Sequence, residues 1–251
     1  MTRITAAAES ITGRRSNNED AFLIDDELGL FTVADGMGGY AGGEIASSMA
    51  VSVIHDFVAK NSEDGRLTWP YKLDDNLSFG ENLLRVAIRL ANQAIRARCK
   101  REKSRMGTTV VAIACRNDDA VLAHVGDSRI YRLSEETLER LTRDHSFANQ
   151  LKEFGSNREL DKVAESRKHI VTRALGAGAD DDARPELQRI ELQTGDRFLL
   201  CSDGIHDVLS DEEIESLLRE TTVEESAEGL TSLALESGSK DNITAMVLEV
   251  G

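Results

Sequence analysis

Cysteine is scarce: Cys99, Cys115 and Cys201 are the three in 251 residues. So few, so scattered, cannot staple a fold with disulfides, and without a C-x-x-C pair they do not suggest zinc. Each lies in an apolar or helical stretch and reads as a reduced thiol. Proline occurs twice, leaving long segments free of helix breakers. No run approaches the roughly 20 apolar residues of a membrane helix, and the stretch Met1–Glu9 has no apolar segment of signal-peptide length. Cations are in deficit, since 30 Lys and Arg face 45 Asp and Glu for a formal net charge of −15. Such a chain repels nucleic acid and anionic lipid, so neither is an expected partner. The expectation is a cytoplasmic protein.

Hydrophobic residues make up 40% of the chain, enough to bury a core, and their spacing reveals its elements. Ile45, Met49, Val53 and Phe57 recur every four residues, as do Ala46, Ala50, Ile54 and Val58. Leu84, Ile88, Ala91 and Ile95 keep a second helical register. Between them Asn61 to Gly80 is polar and turn-rich, so two long helices joined by a loop are predicted. Short branched and apolar runs predict strands at 30–34, 108–115, 120–125, 130–133, 197–201 and 243–250, several joined by tight turns that favour antiparallel pairing. Two late helices are predicted at 211–219 and 223–236, the first opened by Ser210 with Glu213 three residues on, a capping-box pattern. Residues 144–169 are polar and irregular, an excursion from the core. The whole reads as one domain of sheets packed on each other and covered by helices.

The acids carry the chemical signal. Phe31-Thr32-Val33-Ala34 runs into Asp35-Gly36, and Phe198-Leu199-Leu200-Cys201-Ser202 into Asp203-Gly204. Val121-Leu122-Ala123-His124-Val125 runs into Gly126-Asp127-Ser128. Asp241-Asn242 precedes the last strand, and Asn18-Glu19-Asp20 an early one. Strand ends let a rigid sheet aim side chains at one point. Asp-Gly is also ordinary turn chemistry, the reading for Asp64-Gly65. If the five converge, carboxylates about 4 Å apart repel by about 4 kcal/mol at an effective dielectric near 20. Divalent cations would relieve that repulsion, and all-oxygen ligands favour Mg²⁺ or Mn²⁺ over zinc or copper. A competing fingerprint exists: Gly36-Met37-Gly38-Gly39-Tyr40-Ala41 fits the dinucleotide-binding pattern, with Asp56 about 20 residues on. Asp35 against the pyrophosphate position, and Asp56 inside a helix, count against it.

Taken in order, Arg15-Ser16-Asn17-Asn18-Glu19-Asp20, Val33-Ala34-Asp35-Gly36-Met37-Gly38-Gly39, Gly107-Thr108-Thr109, Val125-Gly126-Asp127-Ser128-Arg129, Leu141-Thr142-Arg143-Asp144-His145-Ser146, Thr172-Arg173-Ala174-Leu175-Gly176, Cys201-Ser202-Asp203-Gly204 and Asp241-Asn242-Ile243-Thr244 resemble the metal-dependent, type 2C serine/threonine protein phosphatases of bacterial type. The resemblance spans Arg15 to Val247. It implies an α+β fold, a four-layer sandwich of two antiparallel β-sheets flanked by helices, in a single domain over 1–251 with a small flap at about 144–170. It implies two Mn²⁺ or Mg²⁺ ions, bridged by Asp35, with the Gly36 carbonyl on one and Asp203 and Asp241 on the other. Glu19 would hold the first directly or through water, supported by Asp20. Asp127 with Asp203 matches a third, weaker site, and Arg15 a phosphate clamp. The implied activity is hydrolysis of phosphoserine and phosphothreonine on proteins, opposing a cytosolic kinase. The same site acting on a small phosphorylated metabolite, or a non-catalytic phosphoprotein-binding regulator, are the alternatives. Met37 replaces the histidine that many eukaryotic members carry, so a general acid is sought elsewhere, with His145 and His206 as candidates. Arg96, Arg98, Lys100, Arg101, Lys103 and Arg105 form a basic cluster near a helix C-terminus, where cations suit the dipole and a phosphoprotein could dock.

Overall fold

Side-chain alternation along β3 (Leu30–Gly38) divides the molecule into layers. Phe31 and Val33 face one way, into an apolar cluster with Val111, Ile113, Leu122, Ile130, Phe198, Leu200, Met246 and Leu248. Leu30 faces the other way, toward Ile54, Leu84, Ile88 and Ile95. The structure is a computed structural model and describes residues 3–38, 42–61, 69–135, 137–153, 163, 167, 170–178 and 183–251. The remaining strands are β1 (Ile4–Ile11), β2 (Asp20–Asp25), β4 (Met106–Thr108), β5 (Val110–Arg116), β6 (Asp119–Val125), β7 (Arg129–Ser134), β8 (Thr137–Arg140), β9 (Glu186–Glu191), β10 (Arg197–Cys201) and β11 (Ile243–Val250). The helices are α1 (Gly42–Asn61), α2 (Phe79–Glu102), α3 (Phe147–Glu153), α4 (Asp203–His206), α5 (Asp211–Glu220) and α6 (Val223–Glu236).

One sheet runs β1-β11-β10-β7-β8 and the other β2-β3-β5-β6-β9, with β4 extending β3. The Phe31 cluster lies between the two sheets. Outside the second sheet, α1 and α2 bury the residues predicted from their spacing, Ala46, Ala50, Ile54 and Val58 on one and Leu84, Ile88, Ala91 and Ile95 on the other. Outside the first, α5 and α6 cover Tyr131, Leu199 and Val247 with Ile214, Leu218, Leu230 and Ala234. The result is the expected four layers. Each fully buried Leu, Ile or Phe contributes about 1.5–3 kcal/mol, so the three apolar seams hold the layers in place. Ser210 and Glu213 form the predicted capping box, and Ser78–Glu81 and Thr222–Glu225 form two more.

Three strands escape the pattern. β1 is alanine-rich and owes its conformation to eight residues of pairing with β11; β8 and β9 are largely polar, short strands at sheet edges. The single strand predicted over 108–115 is two, parted at Thr109, whose backbone N–H donates to the Asp35 carbonyl at 2.8 Å. In the expected loop, Trp69 packs between Phe57 and Phe79, at centroid distances of 6.0 and 5.8 Å, while 62–68, with Asp64-Gly65, lie outside the described residues. The excursion after Asp144 starts with α3, and its two ends are tied by the Phe147 N–H to Ile170 carbonyl bond at 2.8 Å and by the Ser146–Val171 bridge. Residues 154–162, 164–166 and 168–169 of it lie outside the described residues.

Candidate active site

The β2–β3 register sets Asp20 directly opposite Asp35. Asp35 is not at a strand terminus: β3 continues through Gly36 to Gly38, and β4 pairs with that extension. Its backbone is pinned from the far side. The Asp35 N–H donates to the Thr109 hydroxyl at 3.1 Å, and the Thr108 hydroxyl donates to the Asp35 carbonyl at 2.8 Å. Asp20 accepts hydroxyl bonds from Thr244 at 2.6 Å and Ser202 at 2.9 Å, which joins the two sheets beneath the site. Asn242 accepts from the Glu19 N–H at 2.9 Å and donates to the Thr12 and Asn17 carbonyls, so one side chain fixes the loop that carries Arg15 and Glu19.

Two of the glycines beside these acids, Gly36 and Gly204, are there for backbone approach. A Cβ on Gly36 would lie 2.2 Å from the Gly43 carbonyl oxygen, and one on Gly204 2.1 Å from that of Asn242. Gly126 adopts φ +110°, and a Cβ there would meet Thr109 at 2.6 Å. None of the three Asp-Gly or Gly-Asp pairs is a hairpin turn. Asp203 opens the short helix α4 rather than closing a loop.

Around a cavity of about 860 Å³ stand Arg15, Glu19, Asp35, Gly36, Met37, Asp127, Asp203 and Asp241. Asp20 lies behind it. All the acids predicted from the sequence therefore gather at one place. The surroundings oppose their ionisation. Burial first, then the charges of Asp20, Asp203, Asp127 and Asp241, push Asp35 well above the usual carboxylate range. Burial, then Asp127 and Asp241, do the same to Asp203. Burial carries Asp127 up to about 6, with Asp144 and Asp207 adding to it. Burial also takes Asp20 to about 6 against the two hydroxyl bonds it accepts. Asp203 Oδ1 is buried without a hydrogen-bond partner. An all-oxygen set with an orphaned carboxylate oxygen is what hard divalent cations fit, and among the described residues no thiol or imidazole lines the cavity. Among the described residues that line the cavity, Arg15 is the cation facing this charge, 2.6 Å from Asp241 Oδ2 and more than half exposed.

Two residues of the rim carried no sequence signal. Glu44 lines the cavity from the first turn of α1 and Val171 from the base of the excursion. The candidate acids sit elsewhere. The His206 side chain is buried, and its Nε2–H donates to the Asp127 carbonyl at 3.0 Å, so it supports the loop rather than facing the cavity. His145 belongs to a second group with His124 and Glu186. The two imidazoles stack at 4.7 Å. The Gly126 N–H donates to His145 Nδ1 at 3.0 Å, so the neutral ring carries its hydrogen on Nε2, toward Glu186 Oε1 at 3.0 Å. His124 Nε2 faces the Arg143 carbonyl at 3.0 Å and donates there. The Arg173 guanidinium lies 2.8 Å from His145 Nε2 and 3.1 Å from the same Glu186 oxygen, so the group already holds a cation of the protein's own. Its role is to brace the loop before Asp127. The dinucleotide fingerprint fails as well, because Gly36 and Gly38 lie within β3 and Asp56 is an exposed position of α1; Gly39, Tyr40 and Ala41 lie outside the described residues.

Known proteins match this arrangement over nearly the whole chain. The family described as "Protein phosphatase 2C" matches residues 9–240. The "Serine/threonine protein phosphatase PstP" of Mycobacterium tuberculosis is 35% identical over 100% of this chain, which spans 46% of that relative's length. The "Serine/threonine phosphatase stp" of Listeria monocytogenes is 34% identical over 94% of this chain and 91% of its own. Among solved structures, the catalytic domain of PstP in complex with two manganese ions superposes with a TM-score of 0.83 at 35% identity, covering 100% of this chain and 99% of that one. The S. agalactiae serine/threonine phosphatase gives 0.84 at 31% identity, covering 99% of this chain and 100% of that one.

Proposed function

The chain belongs to the protein phosphatase 2C family, and we propose that it hydrolyses phosphoserine and phosphothreonine esters on protein substrates, opposing a serine/threonine kinase. The observation that carries the reading is the convergence of Asp35, Asp127, Asp203 and Asp241 on one cavity, with an Asp203 oxygen left unpartnered. In this reading Asp35, the Gly36 carbonyl, Asp203, Asp241 and Glu19 hold two Mn²⁺ or Mg²⁺ ions, and Asp20 supports them from behind. Asp127 and Asp203 provide for a third. Bound cations supply Lewis acidity, which acidifies water and offsets the charge of the phosphoryl oxygens. The two manganese ions of the PstP catalytic domain support this assignment. Arg15 binds the substrate phosphate: its planar fork suits two phosphoryl oxygens, and its exposure at the rim leaves it accessible. Thr108, Thr109 and Asn242 hold the backbone of Asp35 and Glu19 rigid, so the acids keep their positions before substrate arrives. The carboxylates exclude any anionic substrate from a cavity without cations, so activity depends on them. The active domain spans the described fold, and the flap read from the sequence at about 144–170 adjoins the rim through Val171, with 154–162, 164–166 and 168–169 outside the described residues.

The test is turnover of a phosphothreonine peptide and an aryl phosphate with and without Mn²⁺ or Mg²⁺. Both activities should vanish after exhaustive chelation and return on adding the ion, and chelation should lower Tm. Full activity in the chelated protein would overturn the assignment.

A further inference from the structure

We propose that the basic segment at the end of α2 is a docking surface for acidic residues flanking the phosphorylated residue of the substrate, a proposal that rests on reading the cavity as a protein phosphatase site. Six of the chain's 30 Lys and Arg fall in the ten residues 96–105, in a molecule of net charge −15. The helix dipole accounts for part of this. It favours cations in the last turn, where Lys100 and Arg101 stand, but Lys103 is the cap itself and Arg105 lies beyond it. Arg98 and Arg101 share Glu102, at 3.0 and 3.4 Å. Lys100, Lys103 and Arg105 are exposed and have no carboxylate partner among the described residues.

Strand register places this charge beside the cavity. β4 follows directly after Arg105 and pairs with the end of β3, Met106 opposite Gly38 and Gly107 opposite Met37. Met37 and Gly38 both line the cavity. The Arg105 carbonyl lies 3.1 Å from where a Cβ of Gly38 would stand and 3.5 Å from that of Gly42, so the backbone of this segment touches the rim where α1 begins. From Asp35 to Gly38 is three strand residues, about 10 Å. A substrate chain in extended conformation covers that distance in about three residues. An Asp, Glu or second phosphorylated residue about two to four positions from the scissile phosphate therefore reaches Arg105 and its neighbours.

The charge pattern favours this occupant over an anionic membrane or a nucleic acid. Either of those would have to approach a molecule of net charge −15 over a broad face. A short acidic segment anchored by its phosphate meets only the patch. Against the acidic cavity, the patch also steers orientation: the flank that carries acids is drawn to the α2 side.

The experiment uses the Mn²⁺-loaded protein, its triple variant Lys100→Ala, Lys103→Asn, Arg105→Ala, and three substrates. These are an aryl phosphate, a phosphothreonine peptide with neutral flanks, and one with acidic residues two to four positions away on both sides. Asparagine at 103 suits the left-handed conformation found there, φ +52°. The variant should raise KM for the acidic peptide on the order of tenfold, as three exposed charge contacts allow, with kcat on the aryl phosphate and on the neutral peptide unchanged. High salt should erase the wild type's preference for the acidic peptide. Unchanged KM for the acidic peptide would overturn the proposal, as would equal losses on all three substrates. Cosedimentation of the wild type, but not the variant, with phosphatidylglycerol vesicles would overturn it in favour of a membrane. If the wild type hydrolyses the aryl phosphate and neither peptide, the protein-phosphatase reading fails by itself. Fluorescence anisotropy of the labelled acidic peptide then judges the patch, and equal binding to both proteins overturns it.

Discussion

In the chelated protein, Asp127→Asn should increase stability at pH 8 and by about half as much at pH 5. The carboxyl is buried, 6% exposed, and burial carries its pKa to about 6, helped by the carboxylates of Asp144 and Asp207. In the unfolded chain the value is near 3.9. Because the folded value is the higher one, the native state binds the proton more tightly than the unfolded state. Ionisation above pH 6 therefore works against the fold, and the penalty fades as pH falls toward 4. A difference of about 2 units is worth about 3 kcal/mol at pH 8 and about half that at pH 5. For a chain of this size that is about 6–12 °C in Tm at pH 8. The assay is thermal unfolding of wild type and variant in chelator at both pH values, repeated with saturating Mn²⁺, where a cation beside Asp127 should erase the gain. Phosphopeptide turnover should fall in the same variant. A variant no more stable than wild type at pH 8, or an equal gain at both pH values, would refute the reasoning.

Asp35→Asn should reduce kcat below about a tenth of wild type, since the residue acts with the whole ion-binding unit, while Tm in chelator stays level or rises; larger residual activity would place the central ligand elsewhere. Gly36→Ala should cost about 1–3 kcal/mol or more by calorimetry, because the new methyl group meets backbone rather than a side chain that could turn aside; a Tm within 1 °C of wild type, about the change that ~0.3 kcal/mol makes in a domain of this size, would contradict the close approach of β3 to α1. Met37 lines the cavity, so Met37→His should aid phosphopeptide hydrolysis more than aryl phosphate hydrolysis, the latter having the better leaving group; equal effects in steady-state kinetics would exclude the ring from protonating the leaving oxygen.

Much of the site was legible because its chemistry is local. Asp35, Asp127 and Asp203 each follow a recognisable apolar run, Asp241 stands just before one, and the order of motifs carried their grouping. The helices were legible for the same reason: four-residue spacing in α1 and α2 reports a single buried face. What stayed hidden depends on partners remote in sequence. β1 reads as an unremarkable alanine-rich segment until β11, more than 230 residues away, supplies its hydrogen bonds. Glu44 looks like any acid in the first turn of a helix, where the dipole favours it. It becomes a rim residue because Gly36 lets α1 approach β3. Val171 reaches the rim through the bridge to Ser146, a pairing with no pattern in either segment.

His145 shows how a motif residue can be found and its role misjudged. A histidine beside an aspartate near a metal site invites a proton-transfer role, and geometry decides otherwise. Its Nδ1 is committed to the Gly126 N–H and its own N–H to the Gly126 carbonyl at 2.9 Å, while its carbonyl accepts from the Thr172 N–H at 2.8 Å. Burial holds the ring neutral, with its pKa lowered to about 4, so it cannot serve as a cationic acid near neutral pH. The Asp-Gly pairs teach the converse. As sequence they look like turns, and turn chemistry alone would discard them. In the fold, Gly36 and Gly204 are where two backbones come closer than any side chain permits, and Gly126 takes a positive φ against the Thr109 side chain. That approach is what brings carboxylates from both sheets to one cavity, so the glycine and the acid beside it are parts of one device.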